Sequence, residues 1–224
     1  MRERDLFDRL NPFARSHHTE SISFHSPEGA AERVPPSNER FDFKRRVAAF
    51  YGLEAADAES LVDMFGVTRP MGEVALAHVW PASYTNWGDL EEELAMPVGF
   101  HSEPRSFMLL PRDVHVAFDD GGVIFVPSSS SIKCFVLSAD ASDAVRQLHG
   151  RDLHLPLNTS PYKRMLAFFA RCAARHSFFD LDGHVQAALE AATACLEDSA
   201  GNEALQSLID RMVGVGLVSG RRGE

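Results

Sequence analysis

Between Ser106 and Leu137 the chain leaves itself few options. Phe107-Met108-Leu109-Leu110 is a continuous apolar run that ends on Pro111, and Gly121-Gly122 cuts the chain a short helix-length later. A second apolar run, Val123-Ile124-Phe125-Val126, then meets the polar turn Ser128 to Ser131 and a third run from Ile132 to Leu137. Runs this short, bounded by glycine, proline and serine, read as strands. Ser106 to Leu110 is thus a strand or a turn leading into a helix. Asp113 to Asp119 has room for one or two helical turns, and 123–126 with 132–137 forms a small antiparallel hairpin beside that helix.

Two histidines frame this block. His78 ends the apolar stretch Val74-Ala75-Leu76-Ala77 just before Val79-Trp80-Pro81, and His115 lies inside the expected helix. Taken alone, two histidines in one unit are as well explained by hydrogen bonding within a small core. Their positions, one at a strand end and one on a helix after another strand, also allow both imidazoles to enter one cleft. Between them lies Pro81 to Glu103, a segment without regular periodicity that carries Asn86-Trp87-Gly88 and the acidic run Asp89 to Glu93. Loops of that length inside a compact domain are usually functional or inserted.

Upstream, residues 1–40 are polar and turn-rich, and the spacing predicts a weakly ordered arm. Phe7, Leu10 and Phe13 allow one amphipathic turn there, and the pair His17-His18 reads as solvated rather than metal-binding. From Phe41 the pattern tightens. Phe43, Val47, Phe50 and Tyr51 share a helical face, and Gly52 stands where such a helix ends. Ala55 to Met64 is expected as a second helix. A strand near Phe65–Thr68 should turn at Arg69-Pro70-Met71-Gly72 and pair with Val74–Ala77.

Downstream, Asp140 to Leu148 is expected to be helical or a loop with one helical turn, followed by an extended connection from Gly150 to Pro156. Pro161 to Phe179 reads as a helix with Ser160 as N-cap and Pro161 at its first position. Val185–Leu196 and Ala204–Val213 are two further amphipathic helices, and the Gly- and Arg-rich end from Gly214 is a frayed tail.

Composition narrows the function classes. The net charge of −10 lowers the prior for a nucleic-acid binder, which gains affinity by neutralising phosphates. From residue 61 to 135 only Arg69, Arg105, Arg112 and Lys133 are basic, against ten acidic residues. The densest basic cluster of the first half is Arg40, Lys44, Arg45 and Arg46, either a solvated helix face or one that meets phosphate. The three cysteines, Cys134, Cys172 and Cys195, form no C-x-x-C pair and point to small apolar residues in a reducing compartment. With neither a secretory leader nor a membrane-spanning run in the sequence, the expected location is intracellular, in cytoplasm or nucleus.

The order Val67-Thr68, then Ala77-His78-Val79-x-Pro81, then Leu109-Leu110 with His115, Phe118 and Asp119 resembles the HNH family of ββα-metal endonucleases. It is closest to the branch whose core reads AHI-x-P, then NGLLL-x-x-x-x-H-x-x-FD. The strand Gly122–Phe125 fits that branch. So does the tail Leu148-His149-Gly150-Arg151-x-Leu153-x-Leu155-Pro156 leading to a helix, and the likeness runs roughly from 61 to 175.

The resemblance implies an α+β fold: a small ββα-metal, HNH-like core over 65–137, a helical lead-in over 41–64, a helical extension over 138–213 and a flexible tail over 214–224. It implies a metal-dependent endonuclease that hydrolyses phosphodiester bonds of DNA, or an inactive HNH-like fold that serves as a binding or regulatory module for a protein partner. His78 would be the general base, Ser106 would join it in the catalytic set as the stand-in for the Asn that orients the base's loop, and His115 would hold a divalent ion, Mg²⁺ first with Mn²⁺ or Zn²⁺ as alternatives. Asp119 would be a supporting carboxylate, and Lys44, Arg45, Arg46 and Arg112 candidate nucleic-acid contacts. Three positions depart from the pattern. Ser106 stands where the family has its middle Asn, Phe107 replaces the following Gly, and Phe65 replaces a frequent Cys. Ala77, at a position where many members have an Asp ligand, matches the branch.

Overall fold

In the computed structural model the described residues are 37–80, 88, 91–92, 94–128, 130–156, 159–176 and 183–194. Residues 1–36 of the arm, with His17 and His18, fall outside them, as do the helix expected at 204–213 and the tail. The described chain is mixed α and β, with five helices and three two-stranded antiparallel sheets. No described helix is long and apolar enough to cross a membrane.

Helix α1 (Ser37–Tyr51) ends at Gly52, whose φ of +61° is the left-handed conformation that glycine adopts without steric cost. Val47, Ala48 and Tyr51 turn inward, whereas Phe50 remains 37% exposed. The expected core stripe on this helix is therefore narrower than its apolar residues suggest.

The expected helix at 55–64 is instead a turn followed by strand β1 (Ser60–Val62). Asp57 accepts a hydrogen bond from the Glu59 amide at 2.9 Å, and this Asx turn diverts an alanine-rich stretch from helix. β1 pairs with β2 (Thr68–Pro70). Thus 68–70 turns back on 60–62 and does not form the hairpin with 74–77 that spacing predicts. The fully buried carboxylate of Asp63 holds this turn, accepting from the amides of Phe65 and Val67 and pairing with Arg69 Nε at 2.6 Å.

Strand β3 (Val74–His78) pairs with β4 (Phe107–Pro111), with Val74 opposite Pro111 and His78 opposite Phe107. The chain passes from Pro111 directly into α2 (Arg112–Asp119), which packs against both strands and buries Val114 and Phe118. Strand β5 (Val123–Pro127) pairs with β6 (Ile132–Val136), as the two apolar runs predict. The connection after Gly150 lies against β6, where Cys134 N donates to Arg151 O and Leu153 N to Ile132 O.

Helix α3 (Asp143–Arg146) is a single turn, capped by the Ser142 side chain. Helices α4 (Lys163–His176) and α5 (Gly183–Ala194) cover β5 and each other. α4 starts two residues later than the expected Pro161. Tyr162 supplies the carbonyl that receives Leu166 N, and its own amide is taken by Arg105 O. One hydrophobic core runs through all these layers. In it Trp80, two residues past His78, stacks on Phe168 of α4 with ring centroids 5.3 Å apart.

Candidate functional site

The β3–β4–α2 unit carries the two framing histidines. Side chains alternate across a strand, so Val74, Leu76 and His78 share one face of β3, and Phe107 lies beside His78 on that face of β4. The rings of His78 and Phe107 have centroids 4.3 Å apart. On α2, Val114 and Phe118 point into the core. The next residues round the helix, His115 and Asp119, therefore come up together at the edge of the buried stripe. His115 Nε2 lies 3.1 Å from Asp119 Oδ2, with both side chains partly exposed.

His78 is half-buried, and its surroundings disfavour a charge. Burial, followed by the nearby His115 and His101 imidazoles, pushes its pKa from 6.5 down to about 4. His115 and His101 thus lie within electrostatic reach of His78. Asp119 moves the other way: burial raises its carboxyl, the His115 imidazole opposes that, and Asp120 adds to it.

His101 carries no motif, and nothing in its irregular stretch singled it out. It sits on a 3-10 turn (Phe100–Ser102) whose position depends on Ser106. The Ser106 hydroxyl, 2% exposed, donates to Phe100 O at 2.6 Å, and Ser106 O accepts from Val79 N at 2.9 Å. One serine thus ties the residue after His78 to the residue before His101. Its hydroxyl proton is directed at the turn, so its contribution here is placement. The wider segment is pinned by Arg164 Nη1 on Leu94 O and Ala95 O, and by Tyr162, whose hydroxyl donates to Glu103 and whose ring lies under Arg105 at 4.5 Å.

The basic residues of α1 take different places. Lys44 Nζ donates to Val74 O at 2.7 Å and Met71 O at 3.1 Å, and burial, then nearby Arg112, lowers its pKa. Its ammonium therefore closes the start of β3. Arg45 holds Ala58 O at 2.7 Å. Arg46 lies over the Phe43 ring at 5.0 Å, and Phe43 meets Phe107 edge-on at 4.9 Å. Arg112 is exposed at the start of α2. α1 thereby sets Lys44 and Arg46 beside the β3–β4 unit, and α2 adds Arg112, although the local sequence there is acidic.

As metal donors, His115 and Asp119 form a two-residue face, and no group of three or more His, Cys, Asp or Glu able to hold a metal occurs among the described residues. A zinc cage needs three or four protein ligands, so this donor set does not fit Zn²⁺. It offers one carboxylate and one imidazole, whereas Mg²⁺ is held by one or two carboxylates together with waters and phosphate oxygens. Comparison with known families, curated proteins and solved structures returns no match to this chain.

Proposed function

We propose that this chain is an HNH-type, metal-dependent endonuclease that hydrolyses nucleic-acid phosphodiester bonds. The observation that carries the reading is the arrangement of His78 at the end of β3 and His115 on α2. The two residues are 37 positions apart in sequence, yet the packing of α2 against both β3 and β4 brings their elements together, and His115 is among the groups that lower the His78 pKa. Strand, strand and helix in that order, with histidines at those places, are what the resemblance implies for a ββα-metal core.

The roles follow from the surroundings of each residue. His78 is held neutral at physiological pH, and a neutral imidazole has one ring nitrogen able to accept a proton from water attacking phosphorus. An imidazole near 4 is a weak base by itself. A phosphate dianion or diester entering the cleft favours the protonated ring and raises its basicity when substrate is bound. His115 and Asp119 would hold Mg²⁺ or Mn²⁺, which supplies charge stabilisation to the phosphorane and the departing oxygen. Ser106 ties the end of β3 to the turn that carries His101.

A second reading is an inactive HNH-like fold used for binding. It is favoured by the thin metal donor set and by the inward commitment of the Ser106 hydroxyl. Plasmid nicking separates the two. Wild type should nick with Mg²⁺ or Mn²⁺, His78→Ala should lose about 100-fold or more in rate, and calorimetry should show Mn²⁺ uptake that His115→Ala and Asp119→Ala abolish. Equal background digestion by wild type and His78→Ala with both ions removes the enzyme reading.

A further inference from the structure

The flank of α1 that borders His78 has a composition the hydrolytic chemistry does not require. Phe43, Arg46 and Phe50 are spaced three and four apart and so line one side of the helix. Arg46 is exposed and lies over Phe43, and Phe50 leaves more than a third of its surface to solvent while resting edge-on against Tyr51 at 4.9 Å. Beneath the surface the strip is joined to the site by the buried ring of Phe107, which meets Phe43 on one side and His78 on the other. The cation of this flank is Arg46, since Lys44 is taken up by the carbonyls of Val74 and Met71 and Arg45 reaches the Ala58 carbonyl.

Phe50 follows Arg46 by one helical turn and keeps part of its ring open to solvent, next to the guanidinium that covers Phe43. Alternating aromatic rings and guanidinium planes take unpaired nucleobases by stacking, while the positive charge follows the phosphates. Paired bases keep their faces inside the duplex and gain nothing from such a strip.

We propose that Phe43, Arg46 and Phe50 form a stacking strip for single-stranded nucleic acid that leads a strand to His78. The inference rests on the nuclease reading only for what happens at His78; binding by the strip stands apart from cleavage. It also assigns the substrate form, a strand that is already unpaired. Tyr51 supports the strip from beneath, with its hydroxyl on Phe107 O at 3.1 Å and Pro104 O at 3.3 Å.

The test uses the full chain in EDTA, so that binding is read without turnover. Fluorescence anisotropy is measured with labelled single-stranded DNA, single-stranded RNA and duplex DNA of one sequence. Single strands should bind tighter than duplex. Phe50→Ala, at a surface position, should weaken single-strand binding about tenfold and leave duplex binding within about twofold. Arg46→Lys should keep the salt dependence yet lose affinity, and Arg46→Ala should lose both. The DNA and RNA arms show which sugar is preferred, and either preference supports the strip. Duplex binding as tight as single-strand binding, or single-strand binding indifferent to Phe50→Ala, overturns it. Single-strand binding that depends on Phe50 in a protein without cleavage under any divalent ion would sink the nuclease reading and uphold this one.

Discussion

His78 and Phe107 face one another across the β3–β4 ladder, their ring centroids 4.3 Å apart. The aromatic wall and the neighbouring imidazoles keep His78 uncharged well below the pH at which an exposed histidine protonates. If His78 is the base, the acid limb of kcat/KM should fall near pH 4 and not near 6.5. A pH profile of nicking from acid to neutral measures this directly. An acid limb at the ordinary histidine value would place the base elsewhere.

The same shift affects stability. Between about 4 and 6.5 the unfolded chain binds a proton on His78 that the folded chain refuses. This contribution is fully present above the unfolded value of 6.5 and is lost as pH falls through the folded value, on the order of 3 kcal/mol in all. Urea midpoints across that window should drop more steeply for wild type than for His78→Gln. Parallel curves for the two proteins would refute the assignment.

Ser106 holds its turn by one short buried hydrogen bond. Ser106→Ala should cost about 1 kcal/mol, since Phe100 O keeps the Glu103 amide as partner. Ser106→Asn restores the residue type of the resembled family at a site only 2% exposed, and overpacking there should cost about 1–3 kcal/mol without raising activity. Denaturant titration and nicking assays on both variants decide the matter.

Asp63 is the fully buried carboxylate of the β1–β2 turn. Asp63→Ala would leave the amides of Phe65 and Val67 without their acceptor, with Arg69 itself partly exposed, and should cost about 3 kcal/mol. The loss would reach the candidate site through Met64, whose amide donates to Leu109 O of β4. A thermal shift within a few degrees of wild type would argue against this role.

The stretch from β4 to β6 was legible because its signals agree: continuous apolar runs, a proline, two adjacent glycines and a serine turn. The helix misassigned at 55–64 has helix-favouring alanines, yet the Asp57 turn and three-residue pairing with β2 prevail over propensity. The start of α4 shifted because Tyr162 is tied to Arg105 and Glu103, more than fifty residues away, and no local pattern encodes such a tie. His78 and His115 were readable as candidates from their flanking strands. His101 was not, since only tertiary folding brings its turn to them. Phe50 looked like a core residue because helical periodicity assigns a face but not the width of the surface that covers it.

Trp80 gives the molecule an optical reporter of its own. It follows His78 by two residues and is sealed against Phe168 and Phe169 of α4. The protein has only one other tryptophan, Trp87, so Trp87→Phe leaves a single fluorophore at the junction of the histidine strand and the C-terminal helix. Its emission should redden when that junction loosens, even if the backbone spectrum is unchanged. Undocking of the strand can therefore be followed in real time, separately from global unfolding.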